Sequence, residues 1–203
     1  PGIEASGCVM IDGLSDAKAV EVMSAALGSP FEISGAAHFP KGIDGHPITM
    51  LRLEGFTNSV AYRIRQVSEI VSAYGSVRTE RDPEVMKASW TAIRDAAVFA
   101  DRSGDVWRLS VKPSDAPGVA ETIGGDVFYD WGGGLIWALV TEGTDLRAKL
   151  IGFAGHATLI RASAATRSAL SVFHPQAAPI QALSDGLRAK FDPRGILNPG
   201  LMA

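Results

Sequence analysis

An α+β fold built on an antiparallel sheet follows from three features of this 203-residue chain. Residues 126–131 and 135–141 read as two strands around Gly132-Gly133-Gly134, and a hairpin pairs its strands antiparallel. The second half runs strand, helix, strand, strand, helix, strand, the β-α-β-β-α-β order of ferredoxin-like units. The first half adds a strand-strand-helix block, not the strict strand-helix alternation of a doubly wound sheet. The expected architecture is one antiparallel sheet with helices on one side, the ferredoxin-like unit being extended by the first block.

Residues 12–29 read as a helix: Ser15 suits the N-cap, and Ala19, Val22, Met23 and Ala26 recur at helical period before Gly28. Residues 31–39 alternate weakly as a strand, and 41–45 form a turn. Residues 48–55 form a second strand, with Leu51 and Leu53 on one side and Arg52 and Glu54 on the other. A helix follows from Thr57 or Asn58 to Ala73, with an apolar stripe through Val60, Ile64, Val67 and Val71. Another spans 82–100, with Pro83 at a first helical position. The second block opens with the alternating strand 106–111 and a short helix from Pro113 to Ile123. The hairpin, a helix over 144–153 and a strand over 156–162 complete it. A last helix covers 177–191, with Leu183, Leu187 and Phe191 on one stripe. No low-complexity segment or sequence repeat is visible, and the first ten residues open no clear unit.

Composition excludes several classes of function. The chain is 46% hydrophobic and 20% charged, an ordinary globular balance with room for a sizeable core. A net charge of −3 gives no long-range attraction to nucleic acid or anionic lipid. No apolar run reaches the length of a membrane helix, and no signal peptide is visible. The single cysteine, Cys8, has no internal disulfide partner; such usage fits a reducing cytosol, and the thiol reads as structural. The chain begins Pro1-Gly2 and reads as a fragment of a longer protein.

Candidate chemistry is sparse. Gly132-Gly133-Gly134 lies between strands, whereas phosphate loops lead from a strand into a helix N-terminus, so a turn is expected. His38, His46, His156 and His174 are scattered, and none forms the i, i+4 pair of a helical metal site. His38 and His156 are the two nearest strand ends. Trp107, Trp131 and Trp137 offer flat apolar faces for a planar ligand or a partner surface, or else fill the core. Arg52 and Arg108 could receive a carboxylate, and Arg63 reads as an exposed helix charge. Tyr129 reads as a packed tyrosine. No catalytic residue and no metal site is singled out.

The string Phe191-Asp192-Pro193-Arg194-Gly195-Ile196-Leu197-Asn198-Pro199-Gly200 stops a helix and fixes a tight path. It also resembles the C-terminal signature of FAD-linked oxidases of the vanillyl-alcohol-oxidase type. Leu51-Arg52-Leu53-Glu54-Gly55 with its following helix, and Trp107-Arg108-Leu109-Ser110-Val111, resemble strands of that family's cap domain. Asp130-Trp131-Gly132-Gly133-Gly134-Leu135-Ile136-Trp137 resembles a stretch of the glycolate oxidase FAD-binding subunit family, the E subunits.

The resemblance implies that residues 1–203 form one cap domain, the C-terminal part of a larger flavoprotein, and that 191–203 return the chain toward an FAD domain. FAD would bind the full-length subunit and not bind this fragment tightly. Catalytic D-type and iron–sulfur subunits would be partners, and the substrate a small 2-hydroxy acid, glycolate, oxidised to glyoxylate. The complex would be cytoplasmic, any membrane association coming through partners. Asn198, Trp131, Trp137 and Arg52 would lie at the flavin edge. Two departures stand out. Catalytic members carry an Arg where this chain has Ser110, and the family's His-rich segment is absent. Leu201 also stands where a basic residue is common. A non-catalytic interaction or assembly domain is the alternative.

Overall fold

The computed structural model describes residues 3–42 and 45–197. The first half contains β1 (Ala5–Asp12), α1 (Asp16–Leu27), β2 (Gly35–Phe39), β3 (Ile48–Gly55), α2 (Thr57–Val71) and β4 (Val77–Glu80). α3 (Pro83–Arg94) and a 3-10 turn (Ala97–Phe99) lead onward. The second half contains β5 (Asp105–Val111), α4 (Ala116–Ile123), β6 (Asp126–Asp130), β7 (Leu135–Val140), α5 (Leu146–Lys149) and β8 (Gly155–Arg161). α6 (Ala164–Ala169) and α7 (Ala178–Phe191) close the chain's described part.

The sheet has eight strands in the order β4-β1-β3-β2-β6-β7-β5-β8, and each pairing is antiparallel. Both halves therefore run β-α-β-β-α-β. Within each, the first strand lies between the third and the fourth, and the second forms the inner edge. The halves meet through those inner edges, β2 and β6, at the ladder pair His38↔Tyr129. The fold is a structural repeat that the amino-acid sequence conceals.

The α+β antiparallel architecture agrees with the sequence reading; the first half holds two strands beyond it. β1 is buried along nearly its whole length, so Gly7 to Ile11 show no polar alternation to mark a strand. β4 is four residues of largely polar edge, Val77-Arg78-Thr79-Glu80, and edge strands tolerate such charge. Other differences are local. α1 starts at Asp16, capped by Ser15, whose hydroxyl accepts from the Lys18 N–H at 3.4 Å. α3 starts as expected, with Pro83 behind an Asp82 cap, but stops at Arg94 because Ala96 turns left-handed at φ +49°. The expected helix over 144–153 is the single turn α5.

Strand alternation separates two cores. Val9, Ile11, Leu51, Leu53, Trp107 and Leu109 face α1, α2, α4 and α5. The opposite face is crossed by α3, whose Met86 covers Cys8 and Met10, while Ile93 and Phe99 cover Ala37, Phe128 and Trp137. Most helices thus share one side, and α3 shields part of the other. The part it leaves open is where a cavity forms.

Candidate functional site

A cavity of about 680 Å³ opens on the α3 side of the sheet. Its walls include Arg52 and Glu54 of β3, Trp90 of α3, Arg108 of β5, Trp137 of β7 and the turn residue Trp131. Three residues expected at the flavin edge, Trp131, Trp137 and Arg52, therefore meet here. Asn198 lies outside the described residues.

Each has a distinct role in the wall. Arg52 is committed: Nε donates to Ser34 Oγ at 3.1 Å, Nη2 donates to the Ser34 carbonyl at 3.0 Å, and Glu54 Oε2 is 3.1 Å from Nε. Its guanidinium also sits 4.7 Å from the Trp90 ring centre, within cation–π range. Gly35 leaves room for this stack, since a Cβ there would stand 2.9 Å from the Trp90 ring and 3.2 Å from Arg52 Nε. Trp137 is nearly buried and stacked on Phe128 at 6.2 Å. Trp131 is the reverse, 64% exposed.

The backbone presents Trp131 under strain. It holds φ at +53°, a left-handed conformation that costs a side-chain-bearing residue roughly 1–2 kcal/mol. The turn is pinned from both sides. The Asp130 carboxylate accepts the Trp131 N–H at 2.8 Å, and Gly132 lies so close to α1 that a Cβ would come within 2.3 Å of Leu27 Cδ1. Burial holds the Asp130 carboxyl above the usual range, with Arg52 pulling it down. An exposed indole on a rigid, strained turn at a cavity rim is an arrangement suited to binding.

Other candidates lie elsewhere. Trp107 faces the helix-side core, fully buried under the Arg147 guanidinium at 4.8 Å, because it has the opposite strand parity from Arg108. Tyr129 is packed as expected: its hydroxyl donates to Asp16 Oδ2 at 2.5 Å, and burial pushes its ionisation upward. His38 is buried beside it, Nδ1 2.9 Å from Thr49 Oγ1 and Nε2 3.4 Å from Asp16 Oδ1. His156 is on the other face of the sheet, so the two histidines form no pair. Arg63 is not an exposed charge. It is buried and donates to the carbonyls of Glu54 at the end of β3, at 2.7 Å, and of Phe31 in the loop before β2, at 3.2 Å.

Burial raises the Cys8 thiol to about 12, which leaves it inert at neutral pH. Among the described residues no cluster of three His, Cys, Asp or Glu could hold a metal, and no helix is long and apolar enough to cross a membrane. Trp90 is the wall residue that sequence reading passed over; its spacing from Met86 and Ile93 on one helical stripe was the available signal. The tail turns tightly as its prolines and glycines require: the Asp192 carboxylate accepts from the Ile196 N–H at 3.1 Å and the Leu197 N–H at 2.8 Å.

No protein-family model matches the chain. Over 175 residues it is 31% identical to glycolate oxidase subunit GlcE of Escherichia coli (strain K12), a match covering 85% of this chain and 42% of the relative. The chain thus spans less than half the length of that protein. It resembles a domain-sized part of the glycolate oxidase E subunit, the subunit to which the Asp130–Trp137 string had pointed.

Proposed function

We propose that this chain is the cap domain of a glycolate oxidase FAD-binding subunit, part of a complex that oxidises glycolate to glyoxylate. The observation that carries this reading is the convergence of Trp131, Trp137 and Arg52 on one open cavity, in a chain similar to a glycolate oxidase subunit. The wall suits a cover over a flavin ring and not a holder of the whole cofactor. The Trp131 indole offers a flat apolar plane, while the triple glycine joins two strands and offers no helix N-terminus to a pyrophosphate. Bound FAD would supply the electron acceptance that the oxidation needs. The chain's own contribution would be to exclude water above the ring and to fix its plane against Trp131. Asn198, in the tail, is a further candidate for the flavin edge.

The D-type subunit would hold the substrate machinery, and an iron–sulfur subunit would take electrons onward. This chain alone would neither bind FAD tightly nor turn over glycolate. The test is to purify the full-length subunit and the complex. A flavin spectrum in both, with glycolate-dependent reduction in the complex, supports the reading; a subunit without flavin while the complex retains it overturns it.

A second reading, an interaction or assembly domain, draws on α7. None of its side chains is buried, and Ile180, Leu183, Leu187 and Phe191 lie exposed along one stripe. The occupant that fits is the rest of a longer subunit, since more than half of the relative lies outside the match. Leu183→Asp with Leu187→Asp should then detach the domain in limited proteolysis of the full-length protein; an unchanged digestion pattern removes this reading.

A further inference from the structure

The uncovered face of β5 and β8 carries a second grouping, beside the cavity, whose polar side chains the flavin reading gives no role. The ladder registers set Arg108 opposite Thr158 and Ser110 opposite His156, and all four point away from the helix-side core. On the other flank, Arg108 faces Trp137 and Ser110 faces Leu135. Directly opposed side chains in a ladder are neighbours, their Cβ atoms about 5 Å apart. The result is one tile: a guanidinium, two hydroxyls and an imidazole, bordered by an indole and a leucine.

The polar groups of this tile are uncommitted. Arg108, Ser110 and His156 are exposed and Thr158 is half-buried. Their side chains have no hydrogen bond or ion pair with any described residue, and His156 makes only a ring contact with His174, at 5.7 Å. Contrast the cavity's other arginines: Arg52 is forked onto Ser34 and Glu54, and Arg94 is forked onto Asp95 at 2.7 and 2.9 Å. No carboxylate belongs to the tile. Of the two lining the adjoining cavity, Glu54 is spent on Arg52, and Asp130 is turned onto the Trp131 N–H at 2.8 Å. Arg108 thus leaves five N–H donors in a planar fork, and serine and threonine add two hydroxyl donors beside it. That inventory is complementary to a group rich in acceptors and negatively charged.

We propose that the tile binds a small oxyanion, a carboxylate or a phosphate group, with Arg108 taking two of its oxygens and Ser110 and Thr158 donating hydroxyls. The site rests on the described chain and needs no flavin, so its failure and that of the flavin reading are separable. The experiment titrates the flavin-free chain with sodium acetate and, separately, with sodium phosphate at constant ionic strength set by chloride. Amide and Arg108 side-chain shifts in nuclear magnetic resonance are followed. The proposal expects saturable shifts centred on residues 108–110 and 156–158 with at least one of the two anions. Acetate alone would mark a carboxylate site and phosphate alone a phosphate site.

Arg108→Gln should weaken binding about tenfold or more, the loss expected when charge-assisted hydrogen bonds are removed. Arg78→Gln, on the outer edge strand β4, should leave it unchanged. Ser110→Ala with Thr158→Val should weaken it severalfold and serves as the second probe should Arg108→Gln perturb the fold. Absence of saturation with both anions, or equal weakening in Arg108→Gln and Arg78→Gln, overturns the proposal.

Discussion

The two halves of this protein are one unit built twice, and they differ most on the face away from the main helices. In the first half α3 crosses that face and turns it into core. The first strand there offers Cys8 and Met10, both buried against Met86. In the second half no described helix crosses it, and the corresponding strand offers Arg108 and Ser110, both exposed. The residue types follow the cover and not the topology: equivalent strands with equivalent parity are apolar where a helix lies above them and polar where none does. The cavity forms at the edge of the cover, so its walls mix α3, a committed arginine of the first half and an uncommitted one of the second.

Introducing a charge at equivalent places should break the halves apart most strongly. Met10→Asp buries an unpaired carboxylate under α3 and should cost about 3 kcal/mol or more, whereas Ser110→Asp should stay within about 0.5 kcal/mol. Urea unfolding of the two variants checks this, and similar costs would mean that α3 does not seal the first half. Next in size is the wall itself. Gly35→Ala sets a methyl against the Trp90 ring and Arg52, and should cost about 1–3 kcal/mol while shifting tryptophan emission.

The seam between the halves gives a pH signature. The His38 imidazole, whose Nε2 lies 3.4 Å from Asp16 Oδ1, and the hydrogen bond from the Tyr129 hydroxyl hold the Asp16 carboxyl below its ordinary range, with burial opposing them. A depressed carboxylate stabilises the fold above its unfolded pKa, and that contribution is lost as pH falls through the folded value. Stability should therefore decline below about pH 4, and Asp16→Asn should flatten the decline. An identical acid limb in wild type and variant would show the seam contributes nothing there. The smallest effect is at Trp131. Trp131→Gly relieves a left-handed side-chain conformation and should leave stability unchanged or raise it by up to about 1 kcal/mol. A loss of several kcal/mol would mean that the indole serves packing and not binding.

Much of the second half was legible because β5 alternates and the hairpin turn carries glycine: 106–111 and the hairpin stand where the pattern placed them. The same parity rule put Arg52 and Glu54 on the cavity side. What stayed hidden was hidden for physical reasons. β1 is covered on both faces and so loses its alternation, and β4 is a short polar edge. Without those two strands the repeat could not be read. Arg63 looked like a solvated helix charge because nothing local signals that Phe31 and Glu54 bring carbonyls to it. Trp107 and Trp137 looked alike in composition, and only their place in the ladder separates core from cavity wall.

If the Trp131 indole, presented by its left-handed backbone, lies against the flavin as proposed, its fluorescence reports the cofactor. A full-length subunit in which Trp131 is the sole tryptophan of the cap, the other three replaced by Phe, tests it by fluorescence on addition of FAD. Strong quenching of Trp131 emission that tracks FAD binding is the expected result. FAD binding with Trp131 emission unchanged would contradict it.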